Sequence, residues 1–158
     1  MKMSDLARIA GVSKSTVSRA LSGSERVTKE TNITCSLNIN GTGKAQIETG
    51  IGFFDHMLEA LTKHSAIDLT LKCDGDLYVD YHHTVEDCGI VIGQLLKKEI
   101  FPISNVERYG NATVVMDESS VTSALDLSNR PYLVYDLKVV EKVGTFDVEL
   151  VEEFFGRK

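Results

Sequence analysis

The stretch "DYHHTVEDCGIVIGQLLKKEI", residues 80–100, decides the fold. Its apolar positions recur at helical spacing. They predict a helix with a buried stripe made of Val85, Cys88 or Gly89, Ile92, Leu95 and Leu96. At the start of this helix, residues 80–87 hold two adjacent histidines and three carboxylates. Such a cluster is either a metal site or a polar helix end.

The flanking segments alternate between strand and helix patterns. Residues 66–81 alternate like one or two strands around Asp74-Gly75, and residues 49–64 have helical spacing with Phe54, Met57, Leu58 and Leu61 on one face. Residues 32–39 also alternate, and Asn40-Gly41 then predicts a hairpin turn. Beyond Pro102, the sequence predicts strands in "YGNATVVMDE" (109–118) and "TSALDLSNRPYLVYDL" (122–137), and a last helix in "FDVELVEEFF" (146–155).

An internal repeat organises these elements. "SLNINGTG" (36–43) resembles "ALDLSNRP" (124–131), and "GFFDHML" (52–58) resembles "GTFDVEL" (144–150). The pattern predicts an α+β fold built from a duplicated strand-strand-helix-strand-helix unit, with a sheet packed on helices. The first repeat spans about 28–101 and a partial second repeat about 106–158. The second copy stops after its first helix, so we expect it to be incomplete.

Charge and composition limit the classes of protein. The net charge of −6 divides into +3 over residues 1–31 and −9 over residues 32–158, which hints at nucleic-acid contact at one end. No apolar run approaches the length that crosses a bilayer, and the N-terminus has no signal-peptide pattern, so no membrane partner is expected. Three cysteines without a C-x-x-C pair indicate buried, reduced thiols in a cytoplasmic protein.

The first 24 residues predict two short helices around a tight turn at Gly11, a short all-α extension of the main fold. "GVSKSTVSRAL" (11–21) resembles the recognition helix of lactose-repressor-family regulators. That resemblance implies DNA contacts from Lys14, Ser15 and Arg19. In the family a third helix follows, but here strand-like residues take its place. The alternative interpretation is an ordinary helical hairpin.

The histidine cluster has the spacing of a metal site. His82 lies four residues before Glu86 and His83 three before it, so these side chains share a helix face. Imidazole with carboxylate suits Mn, Fe, Ni or Zn, and His56, beside Asp55, could add a third nitrogen. The alternative is a solvated helix end at which acidic side chains offset the helix dipole.

Residues from about 26 to 155 resemble the imidazoleglycerol-phosphate dehydratase family. The resemblance implies a fold similar to the second domain of ribosomal protein S5. It also implies a manganese-dependent hydro-lyase of histidine biosynthesis, which dehydrates imidazole glycerol phosphate to imidazole acetol phosphate. Family members form a homo-oligomeric 24-mer with active sites between subunits. The matching motifs are "TKET" (28–31), "TGIGFFDHML" (49–58), "GDLYVDYHHTVEDCGIVIG" (75–93), "ERYG" (107–110), "MDE" (116–118), "LDLSNRPY" (125–132) and "VELVEEFF" (148–155).

The resemblance also implies the roles of single residues. It makes Glu30 a substrate-contacting carboxylate and candidate acid or base, and Arg108 and Arg130 the phosphate ligands. It assigns manganese to His56, His82, His83 and Glu86, and Glu86 also counts as catalytic. A metal on the substrate imidazole would make the neighbouring C–H acidic. The alternatives are that Arg130 only marks a turn and that Glu30 lies on a solvated edge.

Three hypotheses follow for the function of this chain, which we divide into a dehydratase-like domain over residues 25–158 and a helix-turn-helix-like segment over residues 1–24. The first is a metal-dependent dehydratase. The family continues past "EEFF" with a further histidine and a second H-H-x-x-E, whereas this chain ends in "GRK", so impaired turnover is expected. The second is a DNA-binding transcriptional regulator. The third is an inactive fusion fragment.

Overall fold

A computed structural model of the 158-residue chain describes residues 31–137 and 141–156. The predicted helix-turn-helix segment 1–24, with Lys14, Ser15 and Arg19, lies outside the described residues, as does Glu30. Near the start of the described chain, residues 32–38 form a strand. This confirms the strand predicted where a lactose-repressor-family regulator would continue as helix.

The first half of the chain has the predicted order strand-strand-helix-strand-helix. Alternating residues form the strands and 3.6-residue periodicity forms the helices, as the sequence patterns require. The elements are β1 (Asn32–Asn38), β2 (Ala45–Glu48), α1 (Gly52–Ser65), β3 (Asp68–Asp74) and α2 (His82–Ile100).

Strand β3 occupies the centre of a three-stranded sheet. It pairs antiparallel with β1 and parallel with β2. The hairpin predicted at Asn40-Gly41 is therefore wrong, because β1 and β2 do not pair with each other. The turn after β1 instead folds back onto β3, where the backbone N–H groups of Thr42 and Lys44 donate to Oδ1 of Asp68 at 2.8 and 2.9 Å. Leu69 and Leu71 of β3 are each 1% exposed, as expected of a central strand.

Helices α1 and α2 cover the inner face of this sheet. In α2, the predicted stripe is confirmed, since Val85, Cys88 and Ile92 are buried and the two leucines after them are half-buried. In α1, Met57 and Leu61 are 40% and 41% exposed, because they line an apolar groove between α1 and the C-terminal helix. The buried core is Ile51, Phe54, Leu58, Leu69, Leu71, Cys73, Val85, Cys88, Ile92, Phe146 and Leu150.

The cysteines are free thiols. Cys73 and Cys88 are buried, and Cys35 is half-buried. Burial raises the pKa of the Cys35 thiol. The prediction of reduced, mostly buried thiols agrees with this arrangement.

The second half of the chain holds two eight-residue strands, two strands of two residues and a last helix. β4 (Tyr109–Met116) and β5 (Ser119–Asp126) form an antiparallel pair whose residues are all exposed. β6 (Lys142–Val143) pairs with β7 (Phe146–Asp147), and α3 spans Glu149–Gly156. The strand predicted over residues 122–137 is longer than the one observed, because β5 ends at Asp126 and Pro131 lies in irregular chain.

The last helix begins at Glu149, three residues later than predicted. Phe146, in β7, pairs with Val143 of β6. The centre of its ring lies 5.1 Å from that of Phe53 and 6.4 Å from that of Phe54. Burying this ring in the core of the first half fixes an extended backbone just before α3. The α+β fold class is confirmed, and between α2 and the last helix the described chain has four strands where two were predicted.

Candidate functional site

The two adjacent histidines are the first two residues of α2, and they have different partners. The backbone N–H of His82 donates to Oδ1 of Asp80 at 2.9 Å, and its Nδ1 lies 3.5 Å from the same oxygen. Its Nε2 lies 3.2 Å from Oε1 of Glu149. This contact links the first turn of α2 to the first turn of α3, and thus joins the two halves of the chain.

His83 faces a buried carboxylate. Its Nδ1 lies 3.2 Å from Oδ2 of Asp76, which is 2% exposed, while the imidazole is 24% exposed. The loop that carries Asp76 fits tightly against α2, because a Cβ atom at Gly75 would clash with Oγ1 of Thr84. Only glycine therefore allows this approach of the loop to the helix.

Two further acidic residues follow on the same helix. Glu86, the predicted metal ligand, is half-buried. Burial raises the pKa of the Asp87 carboxyl, opposed by a hydrogen bond from Thr31 and by the charge of His83. His83 therefore lies in the field of both Asp76 and Asp87.

His56 lies on the exposed side of α1. Its neighbour Asp55 holds the preceding turn, since its Oδ1 accepts hydrogen bonds from the backbone N–H of Thr49 at 3.0 Å and from the hydroxyl of Thr49 at 2.5 Å. In "TGIGFFDHML", the aspartate is thus a structural residue that holds the turn before α1.

The predicted metal ligands do not meet in one place within the chain. Over residues 31–137 and 141–156, no group of three or more His, Cys, Asp or Glu side chains could hold a metal ion. His82 turns towards α3 and His83 towards Asp76, so the two imidazoles diverge. The assignment of His56, His82, His83 and Glu86 to a metal stays a prediction.

The two predicted phosphate ligands do share one site. Arg108 and Arg130 both line a surface pocket of about 710 Å³, together with Phe101, Pro102, Ile103, Leu127, Ser128 and Asn129. Arg108 donates from Nε to Oδ1 of Asp126 at 2.8 Å, which raises the pKa of the guanidinium and lowers that of the carboxyl. A pocket with two fixed positive charges suits a phosphate group.

Of the three carboxylates at the histidines, the sequence patterns included Asp80, which belongs to the acidic stretch 80–87, and missed the other two. Asp76 could not be found, because its burial depends on how the loop packs against α2. Glu149 could not either, because it is 67 residues from His82 along the chain.

Comparisons with known proteins agree with the fold. The family model for imidazoleglycerol-phosphate dehydratase matches residues 49–157, and the model for bacterial regulatory proteins of the lacI family matches residues 2–34. The dehydratase from Aliarcobacter butzleri is 73% identical over 130 residues, which are 82% of this chain and 68% of the relative. The dehydratase from Campylobacter fetus is 62% identical over the same coverage.

Two solved structures are also similar. The dehydratase from Staphylococcus aureus has a TM-score of 0.69 and 43% identity, over 81% of this chain and 73% of that one. The enzyme from Pyrococcus furiosus has a TM-score of 0.68 and 34% identity, over 81% and 68% of the two chains.

Fold and sequence matches together define an enzyme of the hydro-lyase class. The chain belongs to the imidazoleglycerol-phosphate dehydratase family, which acts in histidine biosynthesis. The family resemblance in the motifs is confirmed, as is the lactose-repressor-type resemblance of the N-terminal segment. Within the described part of the chain, no helix has the length and apolar character needed to span a membrane.

Proposed function

We propose that the chain binds manganese and dehydrates imidazole glycerol phosphate to imidazole acetol phosphate, in the cytoplasm. The observation that carries the proposal is the pair of imidazoles at the start of α2, each held by a carboxylate, on a chain of this family. The pocket lined by Arg108 and Arg130 adds a place for the substrate phosphate.

The donor atoms suit the proposed metal. Imidazole nitrogens and carboxylate oxygens are ligands that manganese accepts. A ligand imidazole typically donates its other N–H to a carboxylate, and the contact of His83 with Asp76 has this form. We propose His56, His82, His83 and Glu86 as ligands. Since no three such side chains meet among residues 31–137 and 141–156 of one chain, we propose that each centre takes ligands from more than one copy. Bound manganese would supply Lewis-acid polarisation of the substrate imidazole.

The remaining roles belong to side chains of this chain. Arg108 and Arg130 bind the phosphate and so place the glycerol side chain. Glu30 and Glu86 are the candidates for moving the proton, since dehydration needs a base for the C–H and an acid for the leaving hydroxyl. Glu30 lies outside the described residues, so its role rests on the motif alone.

We propose that the site is completed by a second copy in a homo-oligomer. Apolar surface supports this assembly, because large uncovered apolar patches mark interaction sites. One face of the β4–β5 pair is formed by Val114, Met116, Val121 and Leu125, each more than half exposed. The groove between α1 and α3, of about 650 Å³, is also apolar. We also propose that turnover is impaired, because the described residues of one chain bring no three possible metal ligands together.

The test is turnover of imidazole glycerol phosphate by the purified chain, with and without manganese, beside the relative from Aliarcobacter butzleri. We expect manganese-dependent dehydration that is slower than that of the relative and is abolished in His82→Ala. A matched control is His64→Ala, which removes an exposed imidazole at the end of α1. Dehydration at the same rate in a chelated sample would contradict the manganese proposal.

A folded chain that binds manganese without turnover would support the inactive-fragment alternative. Sedimentation velocity, run with and without manganese, separates the assembly question from the chemistry. A monomer that turns over substrate would exclude a site shared between copies.

The match over residues 2–34 favours a second candidate function, DNA binding through Lys14, Ser15 and Arg19. We propose that such binding would weaken steeply with salt, because contacts with phosphates release counterions. Titration of duplex DNA at several salt concentrations tests this, with Arg19→Ala as the variant and Arg26→Ala as the control. Equal, salt-independent binding by both variants would contradict it.

A further inference from the structure

Asp76 is a carboxylate in an unusual position. It is 2% exposed, and its Oδ1 has no hydrogen-bond donor among residues 31–137 and 141–156. Burying an ionised group without full hydrogen bonding costs free energy, so such a group in a native fold needs an explanation. Among the described residues, Oδ2 has its side-chain hydrogen-bond contact with the imidazole of His83.

The surrounding chain holds this carboxylate in one place. Asp76 comes two residues after the end of β3, and its carbonyl accepts a hydrogen bond from the backbone N–H of Val79 at 2.8 Å. On the other side, Gly75 packs directly against Thr84 at the start of α2. The loop and the helix end are therefore fixed relative to each other before any ligand arrives.

The contact brings Nδ1 of His83 within 3.2 Å of Oδ2 of Asp76. An ionised carboxylate only accepts hydrogen bonds, so the atom that faces such a carboxylate is Nδ1–H. In neutral imidazole the lone pair then lies on Nε2, which is the atom that can bind a metal. Because the ring is 24% exposed, it extends from the buried carboxylate to the surface.

We propose that Asp76 is a positioning residue that locks His83 in the Nδ1–H tautomer, so that Nε2 is presented to the metal. This inference rests on the proposed function for the identity of the ligand. His82 provides a contrast, since both of its nitrogens lie near carboxylates and its side chain is 42% exposed. Asp76→Asn and Asp80→Asn are thus matched changes that act on different imidazoles.

The first test uses the unmodified, metal-free chain. Long-range ¹H–¹⁵N spectra of the imidazoles report the position of each ring proton. The chain has 4 histidines, and the signals of His83 are assigned by their loss in His83→Gln. We expect a single tautomer with the proton on Nδ1. A proton on Nε2 would overturn the proposal, since Asp76 would then be the donor.

The second test measures manganese affinity of the chain by electron paramagnetic resonance titration. In Asp76→Asn the side-chain amide can donate to Nδ1, so we expect the His83 proton to move to Nε2 and the affinity to fall by about 10- to 100-fold. Asp80→Asn should leave the His83 spectrum unchanged. Equal affinity in the unmodified chain and folded Asp76→Asn would overturn the positioning role.

Failure of the proposed function gives a different result. An unmodified chain that binds no manganese, yet shows the Nδ1–H tautomer at His83, would overturn the metal site and with it the metal-directed role of Asp76. If Asp76→Asn does not fold, the first test still decides the tautomer, because it needs only the unmodified chain.

Discussion

The guanidinium of Arg108 is held by Asp126, with Nε 2.8 Å from Oδ1 and Nη2 3.4 Å from Oδ2. The two side chains are 49% and 42% exposed, so water and salt screen the pair. The same guanidinium lies 5.0 Å from the ring centre of Tyr109 and lines the pocket with Arg130. Under the proposed function, Arg108 can leave the carboxylate of Asp126 and bind the substrate phosphate at a small cost in free energy, because the exposed ion pair is weak.

Arg108→Ala and Arg130→Ala should each weaken binding of imidazole glycerol phosphate by about 10- to 100-fold, the value of a hydrogen bond to a charged group. Isothermal titration calorimetry of the purified chain measures the affinity. Lys72→Ala is the control, because it removes an exposed cation that pairs with Glu48 on the sheet. Equal losses in all three variants would show that net charge matters and the pocket does not.

Gly89→Ala should separate α2 from α3. A Cβ atom at Gly89 would lie 2.6 Å from the carbonyl oxygen of Phe154, which is backbone and cannot turn away. We expect the free energy of unfolding to fall by about 1–3 kcal/mol. Gly93→Ala, in the same helix, meets nothing within 4 Å and should raise it by about 0.5–1 kcal/mol. Urea unfolding measures both, and effects of the same sign would contradict the close packing of these helices.

Phe146→Ala should detach the C-terminal helix from the core of the first half. Phe146 is 3% exposed and packs against Phe53 and Phe54, so we expect a loss of about 3–5 kcal/mol in the free energy of unfolding. Phe155→Ala removes a ring that is 60% exposed, and it should cost less than about 1 kcal/mol. Thermal and urea unfolding of the two variants test the difference, and similar losses would refute it.

Asp68 should make the stability of the sheet depend on pH. The backbone N–H groups of Lys44 and Thr42 donate to its carboxylate and hold its pKa below the usual value. The folded pKa is thus below the unfolded value of about 3.9, so the carboxylate stabilises the fold above that pH, and this contribution disappears as the pH falls through the folded pKa.

Asp68→Asn should therefore be less stable than the unmodified chain at neutral pH, and the difference should shrink in acid. Urea unfolding at about pH 7 and about pH 3 measures it. Glu59→Gln, an exposed change on α1, is the control. A difference that stays constant across this range would contradict the role given to the Asp68 carboxylate.

Local periodicity alone determined most elements of this protein. The stripe of Val85, Cys88 and Ile92 predicted α2 and its buried face, because helical spacing is complete within a few turns. Alternation likewise predicted β1, β3, β4 and β5 but not β6 and β7, and the motifs placed the chain in its family. The predicted ends of elements were wrong where tertiary contacts hold the backbone. Phe146 is one example, because it is buried in an extended segment and α3 begins three residues after it, at Glu149.

Only the tertiary structure decided the partners of these elements. Asn40-Gly41 correctly marked a turn, but a turn does not specify which strand pairs next, and β3 inserted between β1 and β2. In the same way, the sequence placed His82 and His83 side by side, but not their partners Glu149 and Asp76. Strand pairing and the His82–Glu149 contact join residues distant in the chain, and the Asp76–His83 contact depends on how a loop packs against α2, so neither can be read from local periodicity.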